Sequence, residues 1–253
     1  MGSGREIDTD GNEMSLRRLM GRVLDAVRGR NLETVPDFAE LSWAQEGEDL
    51  LLRALFERVA PRSRFFVDVG AHHPQRFSNT WLFYQRGWRG INIDPFPGCM
   101  ADFDRTRPRD VNIEMAITDQ GDSMELFLFN DAALSTSSTD LAGLHCSEHG
   151  LELESTIEVP ATTLTAVLQQ HLSDGFPIDF MSVDVEGAEL EVLRSLDWKR
   201  WRPTYLLIEE LPDTVGFEAH PTRFLGEIGY RPIARTPRTV IYQDCSEMQE
   251  IKK

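Results

Sequence analysis

The 253-residue chain has little cysteine and little positive charge. Its three cysteines form neither a CxxC pair nor a dense, even-numbered set, which argues against a zinc cluster or a disulfide scaffold and favours a reducing compartment. Only 26 lysines and arginines stand against 42 acidic residues, so the formal net charge is -16. Such a field repels polyanions, and we therefore expect a small-molecule partner rather than nucleic acid.

Long apolar runs are also missing. No stretch approaches the roughly 18 consecutive apolar residues of a membrane span, and the N-terminal residues lack the apolar core of a signal peptide. We therefore expect a cytoplasmic protein without a membrane span. The chain is 41% hydrophobic, which is enough for one α/β domain with a sizeable core.

Polarity and periodicity divide the chain into four segments. Residues 1–14 are polar and contain glycine, which predicts a disordered tail. Residues 15–42 predict an amphipathic helix, from Ser15 to Arg30, followed by a linker. This helix would pack onto the domain or form a homodimer, the alternative being a role at a membrane surface or in substrate binding. We assign residues 43–245 to one domain and residues 246–253 to a second tail.

Within this domain, short apolar segments alternate with segments of helical periodicity. We predict strands at Phe65–Gly70, Arg89–Asp94, Val111–Ile117, Met124–Asn130, Ile178–Val185, Tyr205–Glu210, Arg231–Ala234 and Val240–Gln243. Helices are predicted at Trp43–Val59, Ser78–Arg86, Pro97–Thr106, Leu164–Ser173, Ala188–Ser195 and Pro221–Ile228, and residues 131–150 are predicted to form a long loop or lid. The alternation predicts a mostly parallel, seven-stranded, doubly wound sheet. The short turn RTPR makes the last two strands an antiparallel hairpin, which is typical of the methyltransferase variant of this architecture.

Polar residues end the first two predicted strands. Gly70 would let the backbone approach a ligand closely, and Asp68 could organise the loop or bind an ammonium group. Asp94 ends the next strand, where a carboxylate can accept hydrogen bonds from the ribose hydroxyls of an adenosine cofactor. The loop reads GAHHPQ instead of GxGxxG, so the cradle for a pyrophosphate is missing. A cofactor with a ribose and no phosphate fits, and S-adenosylmethionine is one.

Four carboxylates follow two later strands: Asp184, Glu186, Glu209 and Glu210. Carboxylates that converge repel one another unless a cation, a bound ammonium or a shared proton compensates. Asp184 with Glu209 or Glu210 would make a hard oxygen site for Mg²⁺. Two alternatives remain open. Asp184 and Glu186 would cap the next helix while the other two face solvent, or the carboxylates would bind the substrate directly.

Two histidines follow the first strand and are candidates for a general base. His72 and His73 are close enough in sequence to the glycine loop to reach a reacting group, or they hold backbone carbonyls instead. Ser78 is a candidate N-cap of the next helix. Three histidines in predicted loops could line the substrate side, namely His145, His149 and His220.

The run FFVDVGAHHPQRFSNTWLFYQRGWRGINIDPFPGCM, with AQEGEDLLL upstream and MSVDVEGAELEVL downstream, resembles the FkbM-type methyltransferase family. The resemblance extends roughly from Trp43 to Asp244. It implies a Rossmann-like class I fold, with S-adenosylmethionine as cofactor. It also implies methylation of a hydroxyl on a sugar, a polyketide or a related natural product, so that the partner is a small molecule or a glycoside.

The motif and the resemblance together predict the site residues. We expect the cofactor to contact Gln45, Asp68, Gly70, Ala71, His72, Ser78, Asn79, Asp94, Ala116 and Asp184. Related sugar O-methyltransferases hold Mg²⁺ with carboxylates after strands four and five, which implies Asp184, Glu209 and Glu210 here. They can place a histidine base three residues after the first metal ligand, where this chain has Gly187. We therefore assign the base to His73 or Glu186.

Two other functions fit the same residues. An N-methyltransferase would use the acidic strand ends to bind the ammonium of a small amine. A catalytically idle, cofactor-binding partner protein is the other alternative, because the resemblance does not identify the base.

Overall fold

The computed structural model describes residues 39–130, 132–148, 150–210 and 220–246. Residues from Ser42 onward belong to one compact unit, which is the unit considered below. The predicted helix from Ser15 to Arg30, with any dimer that it forms, lies outside the described residues, as do the segments 1–14 and 247–253. No helix in the described ranges is long and apolar enough to cross a membrane.

Strands and helices alternate along most of this unit. The strands are β1 (Phe65–Val69), β2 (Arg89–Asp94), β3 (Val111–Glu114), β4 (Ala116–Ile117), β5 (Ser123–Phe129), β6 (Leu153–Thr162), β7 (Phe180–Val183), β8 (Tyr205–Glu209), β9 (Tyr230–Arg235) and β10 (Thr239–Asp244). The helices are α1 (Glu48–Phe56), α2 (Trp81–Gln85), α3 (Met100–Thr106), α4 (Thr139–Glu148), α5 (Leu164–His171), α6 (Glu189–Arg194) and α7 (Pro221–Glu227), with one 3₁₀ turn at Ala132–Leu134.

Seven strands form the main sheet in the order β3-β2-β1-β7-β8-β10-β9. The pairs from β3 to β8 are parallel, whereas β10 is antiparallel to both β8 and β9. The predicted seven-stranded sheet with a terminal antiparallel hairpin is therefore confirmed. The chain leaves β1 toward β2 on one side and later returns to β7 on the other, so the topological switch point lies between β1 and β7. In such sheets, ligands bind at the carboxyl ends of the strands beside this point.

Alternating side chains bury both faces of the sheet, as expected for parallel strands covered by helices. On one face, Val67 and Val183 contact residues of α5, α6 and α7, such as Leu168 and Val192. On the other face, Phe66 and neighbouring side chains pack against α1 and α2, forming an aromatic cluster that includes Phe83, Trp88, Phe180 and Tyr205. Both clusters hold the central strands in place, which fixes where the strand ends lie.

A second, three-stranded sheet is not predicted by the sequence pattern. It has the order β4-β6-β5, with β5 antiparallel to β6. The predicted strand Val111–Ile117 is divided, because its first part pairs with β2 and its last two residues pair with β6. Strand β5, predicted as Met124–Asn130, belongs to this smaller sheet. No prediction covers β6, because this strand is largely exposed and carries few of the apolar residues that mark a strand.

Two other predictions are wrong, one of a loop and one of the residue at which a helix begins. The segment 131–150, predicted as a loop or lid, contains α4, whose apolar residues do not follow a helical spacing. The helix predicted at Trp43–Val59 begins only at Glu48, because Gly47 has a left-handed φ of 89°. Before it, the chain is held by Asp49, whose buried carboxylate accepts hydrogen bonds from the Ser42 hydroxyl and the Trp43 backbone N–H.

Candidate active site

A cavity of about 610 Å³ opens at the switch point, beside the carboxyl ends of β1, β2 and β7. Its volume lies within the range of roughly 300–1,000 Å³ that is usual for small-molecule sites. All ten predicted cofactor-binding residues line it, namely Gln45, Asp68, Gly70, Ala71, His72, Ser78, Asn79, Asp94, Ala116 and Asp184. Residues that are far apart in sequence therefore surround one space.

The loop after β1 is bound to the strands on both sides. The backbone N–H groups of Gly70 and Ala71 donate to the carbonyl of Ile93 in β2, at 2.9 and 3.1 Å. On the other side, the Asp184 N–H donates to the carbonyl of Val69. Gly70 has a φ of 80°, which a residue with a side chain adopts only with strain. This conformation turns the chain sharply across the floor of the cavity.

Asp94 lies at the end of β2 with both carboxylate oxygens fixed. Oδ2 accepts the backbone N–H of His72 and Oδ1 accepts that of Phe96, each at 2.8 Å. Burial raises the pKa of Asp94, while these two hydrogen bonds lower it. Oδ2 keeps a second lone pair, whereas Oδ1 also accepts a weak hydrogen bond of 3.7 Å from the Cys99 thiol. The carboxylate is therefore held rigidly, and it can accept hydrogen bonds from a diol at Oδ2 and, in competition with the thiol, at Oδ1.

Asp68, in the neighbouring strand β1, also lines the cavity and is 5% exposed. Its Oδ2 accepts a hydrogen bond of 2.7 Å from the Thr80 hydroxyl. Burial raises the pKa of Asp68 to about 6, whereas the positive charge of Arg107 lowers it. Next to it, Asn79 donates from its side-chain amide to the Ser182 hydroxyl in β7. Asn79 is thereby held at the cavity wall.

Three carboxylates converge where β7 and β8 end. Asp184, Glu186 and Glu209 each offer one oxygen, and these oxygens all lie within 4.8 Å of one another. Burial raises the pKa of Asp184 and raises that of Glu209 to about 11, the charge on Asp184 adding to the second effect. Asp184 and Glu209 are hydrogen-bonded to each other, so the pair shares a proton.

Glu186 belongs to this cluster and has an unusual backbone. Its φ of 53° lies in the left-handed region, where a residue with a side chain is strained. The Thr136 hydroxyl donates to its carbonyl at 2.6 Å, and Glu189 accepts the N–H groups of Val185 and Gly187 on either side of it. These contacts stabilise the turn, and Glu186 lines the cavity.

Comparison with known protein families agrees with this geometry. The sequence model of the methyltransferase FkbM domain matches residues 68–232, which is more than half of the chain. The chain belongs to the FkbM methyltransferase family. It therefore contains a methyltransferase FkbM domain, built on the Rossmann-like α/β sheet described above.

The sequence identity between this chain and individual proteins is low or covers only a short segment. Methyltransferase sdnD of Sordaria araneosa is 32% identical over 80 residues, which cover 29% of this chain and 31% of that protein. The match thus extends over less than a third of this relative. Among solved structures, the T. thermophilus 16S rRNA N2 methyltransferase RsmC, in complex with AdoMet and guanosine, superposes with a TM-score of 0.38 at 14% identity, over 83% of this chain and 45% of that one. A candidate methyltransferase from Thermobifida fusca YX gives a TM-score of 0.38 at 10% identity, over 79% and 81% of the two chains.

Glu210 does not join the carboxylate cluster of this FkbM domain, although the sequence predicts it as a metal ligand. Adjacent residues of a strand point to opposite faces, so Glu209 and Glu210 cannot both face the cluster. The Glu210 carboxylate instead accepts hydrogen bonds from the hydroxyls of Tyr242 and Thr222. The alternative in which both glutamates face solvent is also wrong, because they are 5% and 4% exposed.

The predicted histidines have different surroundings in the FkbM domain. His73, predicted as a base, does not line the cavity, and its Nδ1 accepts the backbone N–H groups of Gln75 and Arg76. Partial burial lowers its pKa. His145 is buried in α4, with its ring edge against Phe129. His220 caps α7 by accepting the Thr222 N–H, and His149 lies outside the described residues.

Ser78 does not occupy the N-cap position, since α2 begins at Trp81, but its hydroxyl accepts the N–H groups of Thr80 and Trp81 and so still caps this end.

Other residues that line the cavity of the FkbM domain were not identified from the sequence. The smaller sheet, the 3₁₀ turn and the residues just after this turn contribute Met124, Leu126, Leu134, Ser135 and Ser137 to the cavity wall. The hairpin contributes Arg238, and the loop after β1 contributes Arg76 and Phe77. No local motif marks these residues, because tertiary packing alone brings them together.

Proposed function

We propose that this FkbM domain transfers a methyl group to a hydroxyl oxygen of a sugar, a polyketide or a related natural product. The observation that carries the proposal is the position of Glu186: its carboxylate belongs to the same cluster as Asp184, and the residue lines the cavity that Asp68 and Asp94 also line. A hydroxyl must lose its proton as it is methylated. A cavity-lining carboxylate can take that proton.

The residues of the cavity fit S-adenosylmethionine. Asp94 would accept the ribose hydroxyls, since both its oxygens are oriented by backbone N–H groups, Oδ2 keeps a free lone pair, and the competing donor at Oδ1 is a weak thiol. Asp68 would bind the ammonium of the methionine part, and Gly70 lets the chain pass close by. The cofactor would supply a methyl group that is already activated as a sulfonium.

The protein's contribution is alignment and proton removal. We assign the base to Glu186, whose carboxylate would accept the hydroxyl proton while the hydroxyl oxygen takes the methyl group. His73 is a weaker candidate, because its Nδ1 already accepts two backbone N–H groups. Holding the acceptor oxygen in line with the methyl group would supply much of the rate enhancement.

A divalent cation fits the carboxylate cluster. Ligand oxygens of Mg²⁺ lie at roughly 2.1 Å from the ion and therefore about 3–4 Å from one another, which is compatible with three oxygens within 4.8 Å. Asp184, Glu186 and Glu209 would each hold the ion through one oxygen, so that Glu186 replaces Glu210 in the predicted set and its second oxygen would serve as the base. The positive charge of the ion would compensate the converging carboxylates and acidify a nearby hydroxyl.

The remaining cavity wall favours a small, partly apolar acceptor. Met124, Leu126 and Leu134 supply apolar surface, and Ser135 and Ser137 supply hydroxyls.

The net charge of -16 disfavours nucleic acid as the substrate. All three cysteines are free thiols, which supports a reducing compartment and hence a cytoplasmic location.

The proposal is tested by following transfer of labelled methyl groups from S-adenosylmethionine to a panel of hydroxylated glycosides and polyketides, with a parallel panel of small amines. We expect labelled ethers from hydroxyl acceptors. Labelled amines in place of ethers would show that the protein is an N-methyltransferase instead. If the protein binds the cofactor and labels neither panel, the idle partner protein becomes the better interpretation.

A further inference from the structure

Arg107 is a completely buried cation directly after α3. Its guanidinium donates to three neutral oxygens: Nη1 donates to Thr80 Oγ1 and Asn92 Oδ1, and Nη2 donates to Ser78 Oγ, each at 2.8 Å. The rings of Trp81, Tyr84 and Phe103 surround it, with centroids 5.4–5.7 Å from its Cζ. A buried charge is costly unless an opposite charge compensates it. The role of Arg107 therefore depends on which carboxylate compensates its charge.

Thr80 connects this cation to the cavity. Its hydroxyl lies 2.8 Å from Arg107 Nη1 and 2.7 Å from Asp68 Oδ2. An arginine can only donate, so the Thr80 oxygen accepts from Arg107, and the Thr80 hydroxyl donates to Asp68 Oδ2. This relay orients one oxygen of Asp68, and the positive charge of Arg107 lowers the pKa of Asp68 and so favours its ionised form.

We propose that Arg107 is a positioning residue that acts through Thr80 to hold Asp68 as an oriented carboxylate for the ammonium group of the cofactor. The proposal rests on the proposed function in one respect, namely that Asp68 faces that ammonium. Arg107 itself does not line the cavity. It contributes the positive charge that Asp68 needs, at a distance that leaves the free side of the carboxylate open to a ligand.

The charges around Asp68 support this role. Asp94, from the end of β2, and Asp184, from the end of β7, both disfavour the ionised form, as does burial. Arg107 and the Thr80 hydroxyl favour it. Ser78 receives a second donor group of the same guanidinium and caps the start of α2. One buried cation thus supports both the carboxylate and the segment that carries Asn79 into the cavity.

The experiment compares two ligands by calorimetry on the full chain. S-adenosylmethionine carries the ammonium, whereas 5′-methylthioadenosine carries the adenosine and the thioether without ammonium or carboxylate. Thr80→Val keeps the shape of the side chain and removes the relay, and Thr80→Ser restores the hydroxyl. We expect Thr80→Val to weaken S-adenosylmethionine binding by about ten- to a hundredfold, as for a lost hydrogen bond to a charged group. Binding of 5′-methylthioadenosine should change by less than about threefold, and Thr80→Ser should bind both ligands nearly as the wild type does.

Arg107→Gln should show the same selective loss. Its matched control is Arg202→Gln, because Arg202 is also stacked on a ring, that of Tyr230, and forms two hydrogen bonds to Asp244 outside the cavity. The control should lower the midpoint of thermal unfolding and leave the ratio of the two ligand affinities unchanged. Equal loss of both ligands in Thr80→Val would show a merely structural role and overturn the inference, as would unchanged binding. A wild-type protein that binds 5′-methylthioadenosine and not S-adenosylmethionine would instead refute the proposed function.

Discussion

Gly70 lies so close to the backbone of Asp184 that a β-carbon on Gly70 would overlap the Asp184 carbonyl oxygen. The loop after β1 and the end of β7 are therefore in direct backbone contact. Gly70 belongs to the predicted cofactor loop, and Asp184 belongs to the carboxylate cluster. Any side chain at position 70 would separate the two parts of the site.

Gly70→Ala should therefore destabilise the fold and abolish cofactor binding. An alanine would have to adopt a left-handed φ, and its β-carbon would overlap the Asp184 carbonyl oxygen. We therefore expect the free energy of unfolding to fall by about 2–4 kcal/mol. Gly87→Ala is the matched control, because Gly87 has a similar φ of 85° and an added β-carbon there would have no neighbouring atom within 4 Å. It should cost about 1 kcal/mol. Urea unfolding measures both, and equal losses would mean that the close contact is unimportant.

The strand ends of this site could be predicted from the sequence because each depends on a local pattern. Short apolar runs ending in Asp68 or Asp94 mark buried strands, and parallel strands bring such ends to one edge. Which of two adjacent glutamates faces the cluster could not be predicted in the same way. It depends on where β8 begins to pair with β7, and a shift of one residue exchanges Glu209 and Glu210 between faces.

Asp94→Asn should weaken cofactor binding without unfolding the protein. The amide oxygen can accept only one of the two backbone N–H groups, that of His72 or that of Phe96, and the amide NH2 on the other side cannot accept a ribose hydroxyl. We expect S-adenosylmethionine to bind about ten- to a hundredfold more weakly. Asp102→Asn, on the exposed side of α3 and paired with Arg105, is the control and should bind normally. If calorimetry gives the same affinity for both variants, Asp94 does not hold the ribose.

Mg²⁺ should stabilise the wild-type protein and not Asp184→Asn. A cation held by Asp184, Glu186 and Glu209 binds the folded state, so at a hundred times its dissociation constant it should add about 3 kcal/mol to the free energy of unfolding. Thermal unfolding with MgCl₂ against EDTA measures this effect, with Glu227→Gln on the exposed face of α7 as the control. An unchanged midpoint in the wild type, together with activity that survives EDTA, would remove the metal from the mechanism.

Glu189 should make the stability of the fold depend on pH. Burial raises its pKa from an ordinary 4.5 to about 7, so the folded state binds this proton more tightly than the unfolded state does. The resulting stabilisation is complete below about pH 4.5 and is lost as the pH rises through about 7. Glu189→Gln mimics the protonated form and keeps the oxygen that accepts the Val185 and Gly187 N–H groups.

Urea unfolding of the wild type and of Glu189→Gln at pH 5 and pH 8 isolates this group. Relative to the wild type, the variant should gain about 2–3 kcal/mol between the two pH values, from about 1.4 kcal/mol per pKa unit. Titrating groups that do not interact with Glu189 are common to both proteins and cancel in the difference. A constant difference across this range would show that Glu189 is not protonated preferentially in the folded state.

The cavity wall opposite the strand ends could not be predicted from the sequence. Segment 131–150 shows no helical spacing, yet it contains α4, and its 3₁₀ turn at Ala132–Leu134 lies beside the cavity. Thr136, in the same segment, reaches the carbonyl of Glu186, 50 residues away in sequence. Contacts of this kind depend on how β5 and β6 are placed against the main sheet. Local patterns carry no information on that placement.

Glu186→Gln should lower kcat and leave cofactor affinity unchanged. The amide occupies the same volume at the cavity wall but cannot accept a proton, so we expect kcat to fall by about a hundred- to ten-thousandfold, as for the loss of a general base. Glu227→Gln provides the control for a change of one charge. Because Thr136 holds the backbone of Glu186, Thr136→Val should lower kcat less, by about tenfold, and Thr136→Ser should restore it. Normal turnover in Glu186→Gln would return the assignment of the base to a residue outside the cluster.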